Sequence, residues 1–416
     1  MAQLSSDAFA FGDALLRLEA AHRLIAERVA PLPATQEITL AEADGRVLAA
    51  PLIAAIDLPP FANSAVDGYA ARFDDLAADG PTELPVSGRA AAGRPLEGEA
   101  RAGAALRIFT GAATPAGLDV VFMQEDVEIA GDRVRLPHGL SRFSNLRPAG
   151  EDIARGEIAI AAGRRLTPQD AALAAALGAD RLTVRARPRV GVFSTGDELA
   201  EPGAPLSPGA IYDANRFALA ALVARAGGAP VDLGRLPDDR AAIRAGLREA
   251  SARCDLLVTS GGVSTGEEDH VRAALEAEGA LAFWRVAIKP GRPVAMGVIA
   301  GCPLIGLPGN PAAVFVTFAQ IARPVIAALS GEAWRAPRAL PVIADFAYAK
   351  KAGRREYVRA SLVVDAGRAL ARKFEREGAG VVTSLTRTDG LVELAEETTR
   401  VAPGETVGFI PWAMLA

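Results

Sequence analysis

The segment Thr259-Ser260-Gly261-Gly262-Val263-Ser264-Thr265-Gly266-Glu267-Glu268-Asp269 places hydroxyls and glycines directly before three acids. The apolar run before it, Asp255 to Thr259, reads as a buried parallel strand, and His270 to Glu278 after it reads as a helix. A small-residue loop that ends a strand and opens a helix is where open α/β sheets bind ligands. The helix-start amides there favour an anion. Glu267, Glu268 and Asp269 would repel that anion unless a cation lay between, so the pattern implies a phosphate held with Mg²⁺.

Other segments repeat or complement this chemistry. Val190 to Phe193 runs into Ser194-Thr195-Gly196-Asp197-Glu198-Leu199, again a strand, small residues and acids; the plain alternative is a turn capped by Asp197. Asp238-Asp239 follows the strand Val231 to Leu236, where helix capping ahead of Arg240 is the simpler account. In Lys289-Pro290-Gly291-Arg292-Pro293, two prolines and a glycine stiffen a turn that carries two cations, a form suited to an oxyanion. Leu307-Pro308-Gly309-Asn310-Pro311 precedes a helix and offers backbone N–H groups to a second oxyanion. Pro59 to Tyr69 and Arg107 to Gly111 are polar turns that read, singly, as structural. No Ser-His-Asp arrangement or Walker A sequence is present, so the implied chemistry is electrostatic.

These loops need a scaffold. From Arg189 strands and helices alternate, which predicts a doubly wound, mostly parallel sheet over 181–331, its last helix running from Ala312 to Leu329. Strands are expected near Trp284 to Ile288 and Val294 to Val298. Residues 1–56 and 148–180 read as an N-terminal helical and linker region, with helices over Phe9 to Val29, Ala41 to Leu48 and Thr167 to Leu177. Short alternating runs broken by Gly and Pro predict an inserted β domain over 57–147. A small β domain is expected over 332–416. The fold class is thus multidomain, α/β plus β.

A formal charge of −5 over 416 residues argues against a general nucleic-acid binder. Cys254 and Cys302 are distant and in apolar surroundings, with no disulfide or zinc pattern. There is no secretory pattern and no uninterrupted membrane-length apolar stretch, the Ala-rich Asp170 to Gly178 being too short. The expectation is a cytoplasmic protein.

Eight segments in this order resemble the molybdopterin molybdenumtransferase family, of MoeA type, whose animal relative is the E domain of gephyrin. They are Pro60 to Tyr69, Arg107 to Gly111, Gly150 to Asp152, Phe193 to Leu199, Ile211 to Asn215, Ser260 to Asp269, Lys289 to Pro293 and Leu307 to Pro311. The resemblance covers essentially the whole chain. It implies a Mg²⁺-dependent enzyme that inserts molybdate into adenylylated molybdopterin and releases AMP, the last step of molybdenum cofactor synthesis. It implies an elongated homodimer in which N-terminal residues of one subunit complete the other's cleft. It further implies contact with the preceding adenylyltransferase and with acceptor molybdoenzymes.

By matching position, Asp67 and Thr110 come from that N-terminal half, while Glu198, Asp238, Asp269 and Lys289 line the α/β domain. Asp269, with Glu198 or Asp238, would hold Mg²⁺. The Ser260, Gly261, Gly262 and Ser264 loop would cradle the pterin phosphate. Lys289, Arg292 and Arg359 would attract molybdate, with Arg285, Pro308, Gly309 and Asn310 as further substrate contacts. Arg285 and Arg292 stand where many relatives carry Lys, and Ala313 and Ala379 where some carry Ser. Two other readings remain at this stage: a non-enzymatic carrier or scaffold, and another nucleotide-handling enzyme that shares only the α/β domain.

Overall fold

Four strands, Ala229–Leu236, Arg189–Thr195, Leu256–Ser260 and Cys302–Leu307, pair in parallel in that spatial order. The computed structural model describes residues 15–237, 239–262 and 270–415. Ala295–Ile299 adds antiparallel to Cys302–Leu307, and Gly279–Trp284 closes the six-stranded sheet antiparallel to it. The sheet is therefore mixed, with one strand reversed. Successive residues point to opposite faces, as the pleat requires. Val190, Val192, Leu256, Val258, Ile305 and Leu307 pack toward the helices Asn215–Arg225 and Arg323–Leu329. Phe193, Leu257 and Leu304 pack toward Arg240–Ser251 and His270–Glu278. Both faces are covered, as the doubly wound expectation requires.

Two details of this sheet differ from expectation. Cys302–Leu307 is a strand although Pro303 and Gly306 read as breakers; it is central and fully buried. The strand expected near Trp284 to Ile288 is two pieces. The chain leaves the sheet at Arg285, which takes φ +87°, and Ile288–Lys289 pairs elsewhere.

The expectation of a helical N-terminal region is also corrected. Leu18–Arg28 is a helix, but it packs on the α/β domain through Leu18, Ala21 and Ile25. His22 fixes it there. Pro324 has no N–H for the carbonyl of Gln320 four residues back, and His22 Nε2 donates to that carbonyl at 2.8 Å. The run Pro311–Thr317, Phe318–Ala322 and Arg323–Leu329 is continuous helix with a π segment in the middle. It is long and apolar enough to cross a membrane, contrary to the reading that no stretch reaches that length, but 83% of its apolar window is buried inside the protein. The helix expected over Ala41 to Leu48 is a single turn, Leu40–Glu42, capped by Thr39 and Glu42 and followed by Gly45 at φ +71°. Around it lies a small unit in which Thr35–Thr39 pairs with Arg181–Arg185 over Ile38, Leu48, Leu166 and Leu182.

The inserted β domain is a six-stranded sheet in the order Val120–Met123, Gly68–Ala71, Ala105–Ile108, Thr82–Ala90, Arg133–Leu136, Glu128–Ala130. Gly68 is where backbones approach closest: a Cβ there would lie 1.7 Å from the Phe122 carbonyl oxygen.

In the C-terminal part, Arg355–Asp365, Arg368–Lys373, Leu340–Ala344, Thr406–Pro411 and Gly390–Leu394 pair in a closed ring, a five-stranded barrel filled by Val342, Val358, Val392 and Phe409. Ile288–Lys289 from the α/β domain adds in parallel to the start of its longest strand, at Arg355–Glu356. This pairing carries Lys289 from one domain onto the other.

Candidate active site

The loops expected to cooperate do meet. Gly261 and Gly262 follow the strand Leu256–Ser260 with φ +100° and +67°, values that glycine accepts freely. A Cβ at Gly261 would stand 2.9 Å from the Thr195 carbonyl oxygen, and one at Gly262 2.9 Å from Thr195 Oγ1. The Thr195-Gly196 turn thus lies directly against the glycine cradle. It does not open a helix. It leads to Leu199–Ala200, paired in parallel with Ile211–Tyr212, and a helix begins only at Asn215.

Asn215 ties the cradle to the Pro308-Gly309 loop. Its Nδ2 donates to Ser260 Oγ at 2.8 Å and to the Gly309 carbonyl at 2.7 Å. Ser260 Oγ donates in turn to the Pro308 carbonyl at 3.1 Å, and the Gly261 amide donates to Leu307 at 3.0 Å. The Ser260 hydroxyl is buried and committed to this frame, so it shapes the cradle rather than facing a ligand. Asn215→Ala should lower the unfolding free energy by about 1 kcal/mol, because the buried Ser260 hydroxyl loses its donor while the exposed Gly309 carbonyl can turn to water. Urea denaturation reads this directly, and an unchanged midpoint and slope would contradict it.

The helix after Pro308-Gly309-Asn310 is less available to an anion than its sequence suggests. The Ala313 and Val314 amides donate to the Asn310 carbonyl, and the Ala312 amide donates to Ala379 in the C-terminal part at 2.9 Å. Among the described residues, the Gly309 and Asn310 amides have no such acceptor.

Beside this loop, between the α/β domain and the barrel, lies a cavity of about 470 Å³. Among the described residues, Lys289, Arg292, Arg354, Arg359, Lys373 and Arg376 line it, against two carboxylates, Glu356 and Glu377. Pro308, Asn310, Ala313 and Ala379 complete the wall toward the cradle. An excess of fixed cations in a walled cleft is an anion site. Gly291 lets the Lys289 to Pro293 turn press onto the Pro311–Thr317 helix: a Cβ there would come within 2.2 Å of Thr317 Cγ2, at φ +113°. Arg359 donates to the Gly378 carbonyl at 2.8 Å, holding the loop that carries Ala379. Lys289 Nζ is 3.0 Å from Glu356 Oε2 and 3.3 Å from the Tyr348 hydroxyl. Burial pulls the Lys289 ammonium down, but the contacts with Glu356 and Tyr348 outweigh it and raise its pKa above the ordinary value.

The other expected site residues are placed as follows. Glu198 is exposed, and its carboxylate folds over Gly196, where a Cβ would meet Oε2 at 2.5 Å. An oxygen donor beside the glycine cradle suits a hard cation such as Mg²⁺. Asp238, Ser264 and Asp269, and with them Glu267 and Glu268, lie outside the described residues. Asp239 caps the Arg240–Ser251 helix by accepting from the Ala242 amide at 2.8 Å. Arg285 bonds through its backbone to Leu16 and Val294 and does not line the cavity. Asp67 and Thr110 pair with each other on the inserted domain. The Thr110 amide and hydroxyl both donate to Asp67 Oδ1 at 2.8 Å, holding that carboxyl below its usual range. Neither lines this cavity.

Family models match the chain in three consecutive blocks. They are the MoeA N-terminal region (domains I and II) over residues 16–178, a probable molybdopterin-binding domain over 191–328, and the MoeA C-terminal region (domain IV) over 341–412. The molybdopterin molybdenumtransferase of Haemophilus influenzae is 37% identical over 402 residues, 96% of this chain and 99% of that protein. The chain belongs to the molybdopterin molybdenumtransferase family. Molybdopterin molybdenumtransferase 2 of Mycobacterium tuberculosis is 35% identical, covering 88% of this chain and 92% of its own. A molybdopterin biosynthesis MoeA protein from Pyrococcus horikoshii shares the fold at a TM-score of 0.81 and 30% identity, over 95% of this chain and 99% of that one. In this member of the molybdopterin molybdenumtransferase family, Ala313 and Ala379 both reach the cavity wall and offer it methyl groups.

Sequence reasoning missed Glu356, Tyr348 and the clamping role of Asn215. Asn215 closes the Ile211 to Asn215 segment already singled out, so that signal was present. Glu356 and Tyr348 carried none, because a Glu and a Tyr in alternating β sequence read as ordinary surface positions.

Proposed function

We propose that this protein joins molybdate to adenylylated molybdopterin, releasing AMP and forming molybdenum cofactor. The observation that carries this reading is the cation-lined cavity of Lys289, Arg292 and Arg359, contiguous through Pro308 and Asn310 with the Gly261-Gly262 cradle. The cradle would seat the pterin phosphate and the adjoining cavity would seat molybdate. Two anions would then lie side by side with fixed positive charge around the second.

Asp269, with Glu198 or Asp238, would hold Mg²⁺; when bound it would neutralise the pyrophosphate and polarise its phosphorus toward a molybdate oxygen or water. Lys289 and its neighbouring guanidiniums would steady the charge that develops as the bond to AMP breaks. Asp67 and Thr110 sit away from this chain's cavity, which favours a homodimer whose inserted domain completes the partner subunit's cleft. The same reading places the protein in the cytoplasm, receiving substrate from an adenylyltransferase and passing cofactor to molybdoenzymes.

The test is AMP release from adenylylated molybdopterin in the presence of Mg²⁺, with and without molybdate. The reading requires release that depends on molybdate and yields active cofactor. Substrate that stays bound and uncleaved under every oxyanion would overturn it in favour of a carrier.

A further inference from the structure

A carboxylate in the wall of an anion cavity needs a reason. Glu356 lines the cavity, yet its side chain is only 2% exposed. Buried charge persists only where partners compensate it. Glu356 Oε2 accepts from Lys289 Nζ at 3.0 Å and from the Tyr348 hydroxyl at 2.8 Å. Oε1 accepts no hydrogen bond among the described residues; its cationic neighbour is Arg354, at 3.9 Å. The Tyr348 ring lies beneath two ammoniums, with Lys289 Nζ at 5.8 Å and Lys373 Nζ at 5.5 Å from its centroid. Lys289 itself is half exposed on a flexible stem. Without Glu356 and Tyr348 its ammonium would sample solvent and be pushed outward by Arg354 and Lys373.

We infer that Glu356, with Tyr348, is a positioning residue for the reaction proposed above: it pins the Lys289 ammonium at the cavity wall so that the anion meets a fixed cation. The register makes this a built arrangement. Ile288–Lys289 pairs in parallel with Arg355–Glu356, so the two backbones run side by side where the two side chains join. The carboxylate weakens the cavity's net positive field but fixes the charge nearest the ligand.

This inference makes a prediction opposite in sign to simple charge counting. Glu356→Gln removes a negative charge from an anion site and should tighten molybdate binding if net field alone mattered. Pinning requires the reverse: molybdate binding about tenfold weaker in E356Q, on the scale of one charge-assisted contact. The effect should vanish in a Lys289→Met background, since there is then no ammonium to hold. Tyr348→Phe should weaken binding by roughly threefold, as the smaller of the two anchors.

Calorimetric titration with molybdate alone reads the unaltered full chain, E356Q, Lys289→Met, the double variant and Tyr348→Phe. Unchanged or tighter binding in E356Q, or an equal loss with and without Lys289, would overturn the inference. Should E356Q not fold, Tyr348→Phe decides, and unchanged binding there would overturn it too. AMP release by the unaltered chain in the same preparation separates the two readings. A wild-type protein that binds molybdate but releases no AMP contradicts the proposed function and leaves the pinning test intact.

Discussion

Lys289→Ala abolishes most molybdate-dependent AMP release, lowering turnover by about 10²–10³-fold, the range seen when one fixed charge or donor is removed from a developing anion. Lys289 is a cation that the structure holds in place. It has two short polar contacts and a backbone held in the barrel's sheet. Its loss also leaves Glu356 buried without its ammonium. That part should destabilise the fold by about 1–2 kcal/mol, less than for a wholly buried pair because Lys289 is half exposed. Circular dichroism should therefore show a folded protein with a slightly lower midpoint. Wild-type turnover in a folded Lys289→Ala protein would remove Lys289 from the reaction.

Gly291→Ala acts on the same loop by a different route. The added methyl would meet Thr317 Cγ2 at 2.2 Å, and the residue would be held at φ +113°. Backbone strain and overpacking each cost about 1–3 kcal/mol, so a loss of roughly 2–6 kcal/mol is expected by urea denaturation. Thr317→Ser in the same chain removes the clashing methyl and keeps the hydroxyl that donates to the Ala313 carbonyl at 2.7 Å. It should restore the steric share and leave the strain. Full restoration would mean that the φ value carries no strain, and no restoration would mean that the contact is not the cause. Molybdate affinity should fall in Gly291→Ala even where the protein folds, because the turn carrying Lys289 and Arg292 is displaced.

What could be read from sequence followed from local physics. Leu256 to Val258 and Val190 to Phe193 are buried on both faces, so they show as runs without a charged residue, and the carboxyl ends of their strands mark the ligand side of the sheet. The Lys289 to Pro293 turn announced itself by its composition. Long-range pairing was not visible. Nothing local says that Leu18–Arg28 leaves its sequence neighbours to pack on Arg323–Leu329, or that Ile288–Lys289 leaves one sheet for another. Glu356 was hidden for the same reason: its partner is 67 residues away, on the other domain. Cys302–Leu307 was missed because Pro303 and Gly306 obscure a strand whose neighbours on both sides supply its burial.

The addition of Ile288–Lys289 to the barrel makes site formation and domain docking one equilibrium. Lys289 and Arg292 come from one body and Arg359 and Lys373 from the other, so the anion cavity exists only while the two are apposed. An anion that binds only the apposed state must hold the bodies together by mass action, in proportion to the logarithm of its concentration over its dissociation constant. The barrel thus acts as the site's clasp, and the oxyanion, on arriving, tightens it.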